Sequence, residues 1–218
     1  MIKGIIFDAD GTLLDSMPMW RNLDYEFLRS VGAEPDESYT EIVNKMTLHE
    51  GVKYTKERFQ LEMTEEEIIE RIRSMAKHAY QNEIVLKPFV REFLEALEGK
   101  HISMVIATSS QKDFILPALE RNGIRHFFRE IFSCAETGIN KNFPDVFIRA
   151  AECLNASPEE AWVAEDAYHA LMTAKKAGFH TLAVYDSSND SFLQDTIQEA
   201  ELYMEDLQEP ERFLKICC

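Results

Sequence analysis

Five short apolar runs alternate with segments of helical periodicity, and this alternation is the feature that most limits the folds open to the chain. Short apolar runs bounded by glycine or polar residues are typical of buried strands. Strands that alternate with helices of this length form βαβ units. We therefore predict an α/β fold with a doubly wound parallel sheet, with strands at residues 3–8, 102–108, 130–133, 161–165 and 181–185 and helices at about 90–97, 112–122, 144–154 and 170–177.

One long segment, residues 16–86, interrupts the alternation because it shows helical periodicity and no convincing strand. Thr64 and Glu67 have the spacing of a capping box, and apolar residues over 68–80 repeat behind them at helical spacing. A pattern this long and entirely helical indicates a small bundle inserted into the α/β domain. We therefore predict two domains, a helical domain at 16–86 and a core composed of 1–15 and 87–218.

Two carboxylates, Asp8 and Asp10, follow the first predicted strand and lead into a Gly-Thr turn. Ligands bind at the carboxyl edge of open α/β sheets, so we expect both acids at that edge. They would repel each other unless a cation joins them, and carboxylate oxygens suit Mg²⁺. A lone Asp-x-Asp-Gly sequence is also common in ordinary turns. Whether these acids form a functional site therefore depends on which residues stand at the ends of the other strands.

Polar residues also follow the other predicted strands. Each of them alone fits a structural or surface role. Their joint placement predicts a single functional site, because the carboxyl ends of parallel strands meet at one edge of a sheet. These residues are Thr108, Ser109 and Ser110 after the second strand, Lys141 in the loop after the third, and Glu165 and Asp166 after the fourth.

A net charge of −16 and a pI near 4.8 limit the partners of the chain. Such a surface repels nucleic acid and anionic membranes. No apolar stretch approaches the roughly 18 residues of a membrane span, and we expect no secretory signal. The four cysteines form no Cys-x-x-Cys pair, which indicates free thiols in a reducing compartment. We expect a cytoplasmic monomer without nucleic-acid or membrane partners.

Four motifs in this order resemble those of the haloacid dehalogenase superfamily of phosphotransferases, and the resemblance covers nearly the whole chain. The corresponding segments are residues 7–16, residues 105–110, Lys141 with 144–147, and 163–166 with 177–178. The helical insertion resembles the cap domain of the subgroup that contains β-phosphoglucomutase and phosphoglycolate phosphatase. The resemblance implies a Rossmann-like core, an inserted helical cap and phosphoryl-transfer activity.

The resemblance also implies catalytic roles. Asp8 would be the nucleophile and would form an aspartyl-phosphate. Asp10 would protonate the leaving oxygen and then take a proton from the attacking water. Thr108 and Lys141 would hold the phosphoryl oxygens, and the lysine would act as a point charge.

The same resemblance implies Mg²⁺ as cofactor. Family members bind it through residues that correspond to the Asp8 carboxylate, the Asp10 backbone carbonyl and the two acids of the fourth motif, Asp166 and Glu165. A carboxylate that attacks a phosphate dianion meets charge repulsion, which the metal would offset. The expected substrate is a small phosphorylated metabolite.

Two segments depart from the family pattern. The third motif usually has glycine before its lysine and proline after it, but Asn140 and Asn142 stand here. The fourth motif usually has serine after the acidic pair, and Ala167 stands in its place. The loss of this serine would remove a hydrogen bond to a metal ligand.

Substrate contacts are expected at Ser109 and Ser110 in the second motif and at Lys45 and His49 in the helical domain. Mutases of the family usually carry an arginine near these last two positions to hold a second phosphate. In this chain His49 stands in place of that arginine, and Lys45 is the nearby cation. The leading interpretation is therefore a phosphatase of a small phosphorylated metabolite. A β-phosphoglucomutase-like sugar phosphomutase and a non-catalytic protein that binds a phosphorylated ligand remain as alternatives.

Overall fold

The computed structural model of the protein describes residues 2–43 and 46–217. The chain divides into two compact units, one containing Met1–Met17 and Tyr80–Cys218 and the other Pro18–Ala79. The predicted helical domain, residues 16–86, contains the second unit and extends beyond it at both ends. The function of the second unit as a cap stays a prediction.

A sheet of six parallel strands forms the centre of the first unit: β1 (Gly4–Phe7), β2 (Ser103–Thr108), β3 (Phe128–Ser133), β4 (Ala161–Glu165), β5 (His180–Val184) and β6 (Leu202–Met204). Their spatial order is β3-β2-β1-β4-β5-β6. The prediction of a doubly wound parallel sheet is confirmed. Sequence patterning did not predict β6, because three residues are too few to show an alternation.

β1 lies at the centre of the sheet, and all four of its residues are buried. Successive side chains of a strand point to opposite faces. Ile6 accordingly packs in a cluster with Val163, whereas Phe7 makes edge-to-face contacts with Phe93 and Phe128. The chain proceeds from β1 to one side of the sheet and later returns to the other side. This reversal creates a crevice at the carboxyl end of β1, where ligands bind in folds of this kind.

The second unit is helical and has its own apolar core, which includes Phe27, Tyr39 and Ile68. Thr64 and Glu67 exchange the two hydrogen bonds of the predicted capping box. Every helix within the described part of the chain is too short or too polar to span a bilayer. The helices that begin or end in this unit are α1 (Met17–Ser30), α2 (Glu37–Val43), α3 (Leu48–Phe59) and α4 (Glu65–Asn82).

Helices cover both faces of the sheet in the first unit. The N–H and Oγ of Ser157 donate to Oε2 of Glu160 at 3.1 and 3.3 Å across a single 3-10 turn, which ends where β4 begins at Ala161. The helices are α5 (Val90–Gly99), α6 (Lys112–Arg121), α7 (Cys134–Thr137), α8 (Asp145–Cys153), α9 (Tyr168–Lys176), α10 (Leu193–Glu199) and α11 (Pro210–Cys217), with 3-10 turns at Arg125–Phe127, Pro158–Glu160 and Ser187–Phe192.

The chain segments that leave and re-enter the first unit lie side by side. The N–H of Asp15 donates to the carbonyl of Val85 at 2.9 Å, and the N–H of Lys87 donates to the carbonyl of Leu13 at 3.0 Å. Between them, Leu14 forms an antiparallel bridge with Leu86. The end of the first motif is therefore fixed to the segment that follows α4.

Candidate active site

The carboxyl edge of the sheet brings together residues that are far apart in sequence. The N–H of Asp8 donates to the carbonyl of Ala164 at 2.8 Å, which continues the ladder between β1 and β4 beyond the end of β1. Thr108 is the last residue of β2, and Glu165 is the last residue of β4. Because the strands are parallel, these residues lie at the same edge of the sheet.

Three buried carboxylates converge at this edge. Asp8, Glu165 and Asp166 each offer one carboxylate oxygen, and the three oxygens lie within 4.8 Å of one another. The ammonium of Lys141 donates to Oδ1 of Asp8 and, at 3.0 Å, to Oε2 of Glu165. The lysine thus reaches the cluster although its neighbours in sequence depart from the family pattern.

Burial and mutual repulsion perturb these acids. Burial, together with the charge of Asp8, raises the pKa of Asp166 to about 7. Burial also raises the pKa of Asp8 and, together with the charge of Asp8, raises that of Glu165 well above its ordinary value. Burial would lower the pKa of Lys141, but the charges of Asp8 and Glu165 raise it above the usual range. One ammonium therefore does not balance the three carboxylates.

The chemistry of this cluster fits a divalent cation. Carboxylate oxygens are the donors that Mg²⁺ prefers, and a cation would compensate the negative charge that Lys141 leaves unbalanced. The candidate ligands are Asp8, Glu165 and Asp166. The backbone carbonyl of Asp10 stays a predicted ligand.

The turn of the first motif packs directly against Asp166. Gly11 has a φ of +86°, and a Cβ at this position would lie 2.5 Å from Oδ2 of Asp166. Glycine is therefore needed at this position both for the backbone conformation and for space. Thr12 Oγ1 donates to Oδ1 of Asp166 at 3.2 Å, and Asn189 Nδ2 donates to Oδ2 at 2.8 Å. The Gly-Thr turn of the first motif thus helps to orient an acid that directly follows β4.

Hydroxyl groups surround Asp10. Its Oδ1 accepts hydrogen bonds from Ser16 Oγ at 2.6 Å and from Tyr80 OH at 2.5 Å. Its Oδ2 accepts one from Ser110 Oγ at 2.6 Å. Hydrogen bonds to a carboxylate are stronger than those between neutral groups. The three donors therefore hold this carboxyl group in one orientation.

The remaining predicted site residues occupy different positions. Thr108 is fully buried, and its Oγ1 accepts a hydrogen bond from the N–H of Ser110 at 3.0 Å. Ser109 and His49 are exposed. Lys45 lies outside the described residues. The substrate contacts assigned to Ser109, Ser110, Lys45 and His49 stay predictions.

Sequence patterning gave no role to three residues that contact the candidate site. Ser16 belongs to the first motif, and this membership was the one signal that could have identified it. Tyr80 fitted the apolar spacing of α4, which says nothing about where a hydroxyl points. Asn189 lies in a polar segment after β5 that resembles an ordinary surface loop.

Several known proteins resemble the chain over most of its length. The phosphorylated carbohydrates phosphatase of Thermotoga maritima is 27% identical over 194 residues, which cover 87% of this chain and 88% of that protein. The phosphoglycolate phosphatase of Aquifex aeolicus is 28% identical over 183 residues and 83% of each chain. The fructose-1-phosphate phosphatase of Escherichia coli is 24% identical over 181 residues, 83% of this chain and 95% of that protein.

Solved structures share the fold. The crystal structure of a candidate β-phosphoglucomutase from Thermotoga maritima aligns over 100% of both chains with a TM-score of 0.85 and 25% identity. The family model for haloacid dehalogenase-like hydrolases matches residues 5–184, which include the whole carboxylate cluster. The chain therefore belongs to the haloacid dehalogenase-like hydrolases.

Proposed function

We propose that the protein is a Mg²⁺-dependent phosphatase that hydrolyses a small phosphorylated metabolite, a sugar phosphate-like monoester, through an aspartyl-phosphate on Asp8. The observation that carries this proposal is the convergence of the carboxylates of Asp8, Glu165 and Asp166, the first two of which pair with the ammonium of Lys141. The substrate class is supported by relatives that are named for the hydrolysis of phosphorylated carbohydrates, fructose 1-phosphate and phosphoglycolate.

Charge neutralisation is the first requirement of this reaction. Mg²⁺ held by Asp8, Asp166 and Glu165 would offset the repulsion between the nucleophile and the phosphate dianion. Lys141 has three N–H donors, and two of them contact Asp8 and Glu165. Its third donor would bind a phosphoryl oxygen, and Thr108 would contact another.

Two displacements at phosphorus complete the reaction. In the first, the carboxylate of Asp8 attacks the phosphorus, the bond to the leaving oxygen breaks, and Asp10 transfers a proton to that oxygen. In the second, Asp10 takes a proton from a water molecule that attacks the same phosphorus, and the bond to Asp8 breaks to release inorganic phosphate. Ser16, Tyr80 and Ser110 keep Asp10 oriented in both steps.

The turnover of p-nitrophenyl phosphate in Mg²⁺ tests the proposal. We expect Asp8→Asn to abolish turnover, because an amide is a poor nucleophile toward phosphorus. Asp195→Asn makes the same change at an exposed position of α10 and should leave turnover at the wild-type level. A screen of sugar phosphates, nucleotides and phosphoglycolate would then identify the substrate class. Activity that survives in Asp8→Asn would exclude the mechanism.

A sugar phosphomutase is the second candidate, because the structure aligns over its full length with a candidate β-phosphoglucomutase. The same acids would serve both reactions. The distinguishing experiment supplies β-glucose 1-phosphate with a trace of the bisphosphate. Formation of glucose 6-phosphate would favour the mutase, and its absence together with phosphate release would favour the phosphatase.

A further inference from the structure

Asn189 holds one oxygen of Asp166 from a loop that none of the four motifs includes. Its Nδ2 donates to Oδ2 of Asp166 at 2.8 Å, across 23 positions of sequence. Ala167, the next residue after Asp166, has no side-chain donor of its own. We propose that Asn189 is a positioning residue that orients Asp166 for the binding of the divalent metal. This inference rests on the metal-dependent function proposed above.

The chemistry of the contact determines how the amide of Asn189 is oriented. A carboxylate oxygen accepts hydrogen bonds, so the NH₂ group of the amide must face Asp166. The second N–H of the same group is directed to Ser188 Oγ at 3.2 Å. Both donors of Asn189 are therefore engaged, and rotation of the amide would break both contacts.

The loop that carries Asn189 is tied to the turn of the first motif. The N–H of Asn189 donates to the carbonyl of Asp186 at 3.0 Å. The carboxylate of Asp186 accepts hydrogen bonds from the N–H and Oγ of Ser188 at 2.9 and 2.7 Å. Lys87 Nζ joins Oδ2 of Asp186 at 2.9 Å to the carbonyl of Gly11 at 2.6 Å. Asn189 is thus fixed relative to the same turn that packs on Asp166.

Asp166 is consequently restrained at both oxygens. Thr12 donates to Oδ1, and Asn189 donates to Oδ2. Each carboxylate oxygen has two lone pairs, so each retains one after these bonds are made. A carboxylate that is already oriented loses less rotamer freedom when it binds a metal. Removal of such an outer hydrogen bond typically weakens metal binding by about 10–100-fold.

Direct measurement of Mg²⁺ binding tests this role without a substrate. Isothermal titration calorimetry with MgCl₂ would compare the wild type, Asn189→Leu and Asn189→Ala, together with the melting temperature of each in EDTA. Asn22→Leu is the matched control, because Asn22 is exposed on α1 and its amide contacts a backbone carbonyl in its own helix. The alanine variant keeps the test valid if leucine disturbs the loop.

We expect both Asn189 variants to bind Mg²⁺ about tenfold more weakly or worse, while Asn22→Leu binds like the wild type. Mg²⁺ affinity within twofold of the wild type in both variants would overturn the proposal. So would weaker binding that is fully explained by unfolding in EDTA, since Asn189 would then serve stability alone. A wild type that binds Mg²⁺ but hydrolyses no phosphate ester would refute the proposed function and leave this inference intact.

Discussion

Lys141→Met should destabilise the protein far more than the same substitution at an exposed ion pair. The side chains of Lys141, Asp8 and Glu165 are 3%, 7% and 3% exposed. Methionine retains much of the apolar stem but removes the charge. Removal of one partner from a buried ion pair leaves an uncompensated charge and costs about 3–5 kcal/mol.

The control for this prediction is Lys175→Met. Lys175 pairs with Glu199 at 2.9 Å, but these side chains are 40% and 44% exposed. An exposed pair contributes about 0–1 kcal/mol, because water solvates and screens both charges. The two variants therefore make the same chemical change in opposite environments.

Urea unfolding in EDTA at neutral pH, followed by tryptophan fluorescence, would measure both free energies of unfolding. Trp162 is 1% exposed on β4, so its contribution to the emission reports loss of the sheet, while Trp20 contributes from α1. Mg²⁺ should restore part of the stability of Lys141→Met, since it neutralises the same carboxylates. A loss below about 1 kcal/mol, comparable to that of Lys175→Met, would refute the argument that buried charge dominates this site.

Three further predictions concern residues near the cluster and in the helical unit. Tyr80→Phe should lower kcat by about tenfold, because it removes one charge-assisted hydrogen bond to Asp10, worth roughly 1.5 kcal/mol. The Mg²⁺ concentration that gives half-maximal activity should change little. An unchanged kcat would contradict this prediction. Gly11→Ala should abolish Mg²⁺ binding in calorimetry, because its Cβ would collide with Asp166; wild-type binding would show that the turn can shift. Burial raises the pKa of the Tyr39 hydroxyl to about 12. The unfolded chain therefore loses the hydroxyl proton at a lower pH than the folded protein does, and the free energy of unfolding falls as pH rises from 10 towards 12. Tyr39→Phe loses a hydrogen bond to Thr55, which should lower the free energy of unfolding by about 1 kcal/mol at neutral pH. Urea unfolding should show that the difference in this free energy between the variant and the wild type decreases as pH rises from 10 towards 12. A difference that stays constant over this range would contradict the raised pKa of Tyr39.

Sequence patterning could predict the sheet because strand and helix periodicities are local properties. The position of Asp8 followed from this sheet, since an apolar run that ends in a carboxylate places that carboxylate at an edge. The same reasoning placed Glu165 at the carboxyl end of β4. Sequence patterning could not predict β6, because Leu202–Met204 gains its strand conformation from pairing with β5 rather than from its own pattern.

The contacts that orient the acids could not be predicted in the same way. Tyr80 satisfies the apolar spacing of α4, but its hydroxyl contacts Asp10 across 70 positions. Asn189 reaches Asp166 from a polar loop whose sequence contains no motif. Such contacts depend on how loops cross the edge of the folded sheet, and neither composition nor periodicity encodes that geometry.

The antiparallel bridge between Leu14 and Leu86 has a consequence for the evolution of the protein. When backbone hydrogen bonds join the two ends of an insertion, the entropic cost of closing the inserted loop depends little on its length, so the host domain tolerates the insertion. The bonds between Leu13–Asp15 and Val85–Lys87 involve main-chain atoms and so persist when the inserted residues change. Recombination could therefore replace helices between these two ends with longer, shorter or unrelated ones without breaking the backbone bonds that close the insertion, provided that Ser16 and Tyr80, which hold Asp10, are retained.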